Sequence, residues 1–149
     1  MNTRIRDNSC IRRINEKYIL VERVPDVEEY QKLRAKVGWG SKNSEASRIA
    51  LNNSLFSVCV MLENNIIGFG RVIGDGGVYL YIQDVIVLPE FQGQGIGKCI
   101  MDAVMDYLNT HTFPGTFVGL MAAKEASGFY EQFGFVKRPP EGPGMFKIM

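Results

Sequence analysis

The chain has 149 residues, 46% of them hydrophobic and 22% charged, enough apolar material for one core and too much for a disordered segment. Lys and Arg number 17 against 16 Asp and Glu, so the net charge of +1 excludes the overall basic excess of a protein built to hold a nucleic-acid backbone. No apolar run is long enough for a signal peptide or a membrane span, so neither a membrane nor a nucleic acid is an expected partner.

Residues 1–16 mix Arg4, Arg6, Arg12 and Arg13 with Asp7 and Glu16 and read as a flexible, solvated arm, leaving 17–149 as a single domain. Tyr18 to Glu22 reads as a short strand. Pro25-Asp26 then opens a helix with Val27, Tyr30, Leu33 and Val37 on one face, stopped by Gly38-Trp39-Gly40. Ser44 is the expected cap of a second helix carrying Ala46, Ile49 and Ala50. Three strands follow, Leu55 to Leu62, Ile66 to Ile73 and Val78 to Leu88, joined by short turns at Asn64-Asn65 and Gly74 to Gly77 that predict an antiparallel meander.

Pro89 ends the third strand, and the glycine-rich Gln92 to Gly97 enters a helix with Ile96, Ile100, Val104 and Leu108 at four-residue spacing. A strand over Thr116 to Met121, a helix with Ala126, Phe129, Tyr130 and Phe133, and one or two edge strands over 135–149 complete the chain. The order β-α-α-β-β-β-α-β-α-β describes an α/β (α+β) fold, a mixed, mostly antiparallel twisted sheet flanked by helices.

The strand–glycine turn–helix sequence Val85-Ile86-Val87-Leu88-Pro89-Glu90-Phe91-Gln92-Gly93-Gln94-Gly95-Ile96-Gly97-Lys98 is the sharpest feature. Backbone N–H groups at a helix N-terminus form an anion site, glycines let the backbone approach phosphate oxygens, and Lys98 adds charge. Rossmann and P-loop readings fail, because no first-strand βαβ unit precedes the loop and Gly-Lys-Ser/Thr is absent. The pattern Gln92-x-x-Gly95-x-Gly97 after Val-x-Val-x-Pro resembles the acetyl-CoA signature of the GNAT superfamily. Ala126-Ser127-Gly128-Phe129-Tyr130-Glu131-Gln132-Phe133-Gly134-Phe135 is similar to that family's Ala-x-x-Phe-Tyr-x-x-x-Gly-Phe helix, and the element order agrees over about 17–149.

The resemblance implies acetyl transfer from acetyl-CoA to a primary amine by direct attack. It implies a β-strand splayed from the next, with Val85, Ile86 and Val87 along the pantetheine arm and Gly93, Gln94, Gly95, Ile96, Gly97 and Lys98 at the pyrophosphate. Gln92 belongs to the same signature. Tyr130 matches the residue that protonates the leaving thiolate, against a core-packing alternative, while Ala123 stands where many members place a cofactor-contacting Asn. Asp84 is read as base or substrate contact, or as a group that only shapes the site. Its stretch Tyr81-Ile82-Gln83-Asp84-Val85-Ile86-Val87 resembles strands of glucosamine-6-phosphate and plant arylalkylamine-type acetyltransferases. Strand alternation sets Gln83 and Asp84 in opposite directions unless a bulge intervenes.

Trp39, Tyr81 and Gln83 are the candidate substrate contacts, and Arg71 reads as a solvated strand residue, with a contact to an anionic substrate group as the alternative. The three cysteines, Cys10, Cys59 and Cys99, have no metal-like spacing, and no Cys/His/Asp cluster points to a metal. Cys59 and Cys99 lie in apolar runs and read as buried reduced thiols, which suits the cytoplasm. The minimal domain favours a small-molecule amine, namely an arylalkylamine, polyamine or amino sugar. Protein acetylation at Lys or an N-terminus is the same-class alternative, and a non-catalytic acetyl-CoA-binding regulatory module the alternative of another class. Homodimer pairing through the apolar tail is a further expectation.

Overall fold

A computed structural model describes residues 11–149. Its elements are β1 (Ile11–Arg13), β2 (Tyr18–Glu22), α1 (Val27–Lys36), α2 (Ser44–Asn52), β3 (Phe56–Leu62), β4 (Asn65–Gly74), β5 (Tyr79–Val87), α3 (Ile96–His111), β6 (Phe117–Gly119) and α4 (Ser127–Glu131), with a 3-10 turn at Pro89–Phe91. The six strands lie in the sheet in the order in which the chain visits them. Neighbours are antiparallel except β5 and β6, which the crossover through α3 makes parallel.

Local chemistry explains most boundaries. Asp26 caps α1 by accepting from the Glu29 amide at 2.8 Å, and the Glu29 carboxylate accepts from the Asp26 amide at 2.9 Å, a reciprocal capping box. The β4–β5 turn closes on Asp75, whose Oδ1 accepts from the amides of Gly77, Val78 and Tyr79 at 2.8, 2.9 and 3.0 Å. Those donors hold its carboxyl below the ordinary carboxylate value. β3 is apolar without alternation because both of its faces are covered. The four-residue stripe of α3 is its core face, with Ile96, Ile100, Val104 and Leu108 all at most 3% exposed.

Four expectations are corrected. Asn43, not Ser44, caps α2, its Oδ1 accepting from the Ala46 amide at 3.0 Å, and Ser44 is the first helical residue. The buried face of α2 is Ser47 and Leu51, while Ile49 is exposed, because tertiary packing and not the local apolar pattern chooses the face. Of the expected arm over 1–16, Ile11–Arg13 pairs with β2 as an edge strand, and 1–10 lie outside the described residues. The tail 135–149 forms no strand and leaves Val136, Met145, Phe146 and Ile148 exposed. Its Pro-Pro-Glu-Gly-Pro-Gly run lacks three of the backbone donors or preferred dihedrals a ladder needs. Among the described residues, no helix is long and apolar enough to cross a membrane.

The helix and sheet meet closely at one point. Gly70 on β4 lets α3 sit so near that a Cβ built there would lie 2.7 Å from Ile100 Cγ2. Ile100 is fully buried and β-branched, so it has little room to yield. Gly70→Ala is therefore expected to lower stability by about 1–3 kcal/mol in chemical denaturation. Gly40→Ala, with open space around the new methyl, should leave the midpoint nearly unchanged.

Candidate active site

The site is built on a break in β5. Ile82 faces Val72 of β4 across the ladder, whereas Ile86 faces Phe69. Phe69 and Val72 are three residues apart and so lie on opposite sides of β4. Ile82 and Ile86, four apart, would share a side in a regular strand; here they do not. The extra residue is a bulge centred on Asp84, whose φ of 56° is left-handed, and the register shifts opposite it between Phe69 and Arg71. The expected opposition of Gln83 and Asp84 is therefore overturned. The bulge turns both toward the α1 side, where the Gln83 amide donates to Asp84 Oδ1 at 3.2 Å.

Asp84 is only 3% exposed and is surrounded by donors. Its Oδ2 accepts from Tyr30 Oη at 2.8 Å and from Arg71 Nε at 2.9 Å, and the Arg34 guanidinium stands 3.6 Å from Oδ1. This corrects the solvated reading of Arg71, which is 7% exposed and also donates to Ser54 Oγ at 3.2 Å. Burial first, then the adjacent carboxylate, lifts the Tyr30 phenol above its ordinary value. The half-buried Trp39 covers the Arg34 guanidinium at 5.5 Å from its ring centre. Arg34 and Tyr30 were not anticipated as site residues. Their four-residue spacing on the apolar face of α1 was the available signal, a charge on a core stripe.

Beyond the bulge β5 runs free. Its pairing with β6 stops after Tyr79–Phe117, Leu80–Val118 and Tyr81–Gly119, so 82–87 have no neighbour on that side. The Leu88 amide donates to Ile67 of β4. By alternation the backbone groups of Val87 and Val85 face the gap, while those of Ile86 face β4. The gap continues into a cleft of ≈ 1160 Å³ between the β5–β6 edge, α4 and the tail, lined by Tyr81 and Tyr130 among others. The Tyr81 hydroxyl is buried without a hydrogen bond of acceptable geometry. Burial raises its phenol, while the nearby Met121 amide opposes that effect in part. Tyr130 lies edge-on to Phe129, and no hydrogen bond engages its hydroxyl among the described residues. Burial alone lifts its phenol above the ordinary value of 10.

The glycine loop closes the far end. Gly93 and Gly95 have φ of 75° and 80°, and a Cβ on either would project into open space. The Gln92 amide donates to the Val87 carbonyl at 3.0 Å, and Gln94 Oε1 accepts from the Tyr18 hydroxyl at 3.0 Å. The two glutamine side chains thus tie the loop to β5 and β2. The backbone amides from Gly93 to Lys98 meanwhile make no hydrogen bond among the described residues; the first engaged amide is Cys99, which donates to Gly95. An uncapped helix start leaves four such donors, and the turn adds two. Ile96 is buried beneath the loop, and Gly97 lies under Phe129 of α4. Lys98 pairs with Asp102 at 2.8 Å one turn along the exposed helix face.

A free strand edge beside a loop of unengaged amides is the frame of an acyl-CoA-dependent transferase, and the loop's open concavity fits a pyrophosphate. A family model described as an acetyltransferase (GNAT) domain matches residues 54–137. An uncharacterised N-acetyltransferase of Gracilaria tenuistipitata is 30% identical over 133 residues, covering 87% of this chain and 72% of that protein. A chloroplastic serotonin N-acetyltransferase of Oryza sativa is 30% identical, covering 80% of this chain and 61% of that protein. The crystal structure of an acetyltransferase-like protein of Staphylococcus aureus superposes with a TM-score of 0.84 at 36% identity, covering 89% of this chain and 99% of that one. The chain belongs to the GNAT acetyltransferase family, whose members use acetyl-CoA.

The Asp84 cluster yields a stability test. Removing the carboxylate leaves two buried guanidinium groups without their counter-charge. Asp84→Ala is expected to cost about 3–5 kcal/mol in denaturant titration. A loss under 1 kcal/mol would show that the cluster does not hold the bulge.

Proposed function

We propose that this chain moves an acetyl group from acetyl-CoA to the primary amine of a small molecule by direct attack. The observation that carries the reading is the joining of the free edge of β5, with its gap-facing Val85 and Val87 backbone, to the six unengaged amides of Gly93 to Lys98. Bound acetyl-CoA supplies an activated thioester. The residues from Gly93 to Lys98 hold its phosphates through backbone donors, and Val85 to Val87 orient the arm. A gap-facing backbone N–H of the free edge would stabilise negative charge on the thioester oxygen.

In the reaction a nitrogen–carbon bond forms, the carbon–sulfur bond breaks, the amine gives up a proton and the sulfur gains one. Tyr130 is the group suited to deliver that last proton. Its hydroxyl lines the cleft, is unengaged, and burial keeps it protonated at neutral pH. Asp84 shapes the site in this reading. Its oxygens are committed to Tyr30, Arg71 and Gln83, and a bound water or the solvent takes the ammonium proton. The candidate acceptors are an arylalkylamine, supported by the name of the rice relative, a polyamine or an amino sugar. A second reading, acetylation of a protein Lys or N-terminus, is favoured by one feature: the cleft runs along β6, the unpaired edge of the sheet.

Calorimetric titration with acetyl-CoA should show saturable binding. Thiol release with an amine panel should single out one class, and release with peptides alone would select the second reading. Gly95→Val forces a β-branched residue into a left-handed turn and fills the open concavity. It should weaken acetyl-CoA binding at least about 10-fold with the circular dichroism preserved; unchanged affinity would overturn the loop assignment. Tyr130→Phe should lower kcat by about 10²-fold or more with little change in acetyl-CoA affinity. The proton donor is present below its folded pKa and lost above it. Since burial raises that value from the ordinary phenol range, wild-type activity should show no alkaline loss from this group up to about pH 9. Full activity of Tyr130→Phe would return the residue to core packing.

A further inference from the structure

The cluster behind the bulge carries an unbalanced charge. Asp84, Arg34 and Arg71 are 3%, 8% and 7% exposed, so one carboxylate faces two guanidinium groups in a nearly closed space. The nearest carboxylate on α1, Glu29, is engaged elsewhere by Arg23 at 2.8 Å. A buried excess cation is costly unless an anion joins it.

The two arginines are not equivalent. Arg71 spends its Nε on Asp84 and its Nη1 on Ser54 and the Ala50 carbonyl. Arg34 spends only its Nε, on the Gly40 carbonyl at 2.9 Å. Its contact with Asp84, at 3.6 Å, is an ion pair too long for a hydrogen bond. Among the described residues its two terminal nitrogens donate to nothing. Nor are they sealed off, because the buried side-chain atoms lacking a partner are Ser57 Oγ and the Tyr81 hydroxyl. Tyr30 and Trp39 hold the guanidinium by its faces, with ring centres at 5.7 and 5.5 Å, and Nη1 is turned to Asp84, which leaves Nη2 as the nitrogen without a partner among the described residues.

We infer that Arg34 docks an oxyanion on the acceptor, so that the substrate is an anionic amine bearing a carboxylate or phosphate near its amino group. This inference rests on the transferase reading and narrows its acceptor. Arg34 touches the bulge of β5, and the next residues along that strand are the gap-facing Val85 to Val87. An anion held there sets an amine a few bonds away toward the gap. The remaining charged N–H donors of Nη2 match an oxygen of a carboxylate or a phosphate. A polyamine would bring more positive charge to a site already in excess.

The test compares amines that differ only in the oxyanion: tyramine with tyrosine, putrescine with ornithine, and glucosamine with glucosamine 6-phosphate. Affinity for the protein saturated with coenzyme A is measured by calorimetry, and kcat/KM by thiol release with acetyl-CoA. In at least one pair the anionic member should be favoured about 10- to 100-fold, the first two pairs reporting a carboxylate and the third a phosphate. Arg34→Met should bring that ratio close to one while leaving acetyl-CoA affinity unchanged, and Arg34→Lys should restore part of it.

No preference in any pair would overturn the inference. So would an Arg34→Met variant that weakens both members equally, which is the signature of a residue that only packs. Turnover of the uncharged or cationic members without preference would overturn the inference and leave the transferase standing. Preferential binding of the anionic member without thiol release would sustain the Arg34 assignment and overturn the transferase reading. If Arg34→Met does not fold, the wild-type ratios together with Arg34→Lys decide.

Discussion

The buried pairing of Asp84 with Arg71 across two strands is the constraint on which the site depends. A non-glycine residue in the left-handed region costs about 1–3 kcal/mol and persists only where its surroundings over-determine it. Here the surroundings are a guanidinium on β4, a phenol on α1 and a neighbouring amide, all donating to one carboxylate. They hold the bulge, and the bulge decides what lies downstream. Without the extra residue, Ile86 would point to the α3 side and Val85 and Val87 to the α1 side. The backbone that faces the gap would then change as well. A side-chain cluster on the acceptor side thus sets the register of backbone groups on the donor side.

The two halves of the site use opposite chemistry. The acceptor half is made of side chains at fixed distances: guanidinium, carboxylate, phenol and indole. The donor half is made of backbone, and its conspicuous side chains serve as ties. Gln92 binds β5 and Gln94 binds β2, so the loop's shape is held without occupying its own amides. This division explains how a donor common to a whole family can be read by a short glycine pattern. On the proposed reading, acceptor choice resides in a handful of residues spread over α1, β4 and β5.

That division also governs what was legible in the sequence. The meander, the opening of α1 at Pro25-Asp26, the long apolar stripe of α3 and the glycine loop all follow from neighbours within a few residues. The splay of β5 from β6 came through family resemblance, since no local pattern encodes an absent pairing. Arg34 and Arg71 escaped because a charged residue on a surface-like element looks solvated until its partner, 50 or 13 residues away in sequence, is brought beside it. The bulge was foreseen only as a possibility, because it depends on which β4 residue opposes Asp84. Asn43 and Ser44 are adjacent and both good caps, so the sequence alone does not decide between them at the start of α2. The tail's apolar residues suggested strands, but its prolines and glycines win over that pattern.

The sheet order has a consequence for how the molecule assembles. Each strand pairs with the one made before it, but the loops closed differ: β1–β2 and the β3–β4–β5 meander are joined by short turns, whereas β2–β3 (Tyr18–Leu62) and β5–β6 (Tyr79–Phe117) each close a long loop that runs through helices. β6 must wait for α3 to cross over, and it is held by three register pairs alone. The β6 wall of the cleft therefore forms only once the chain has closed one of its long loops.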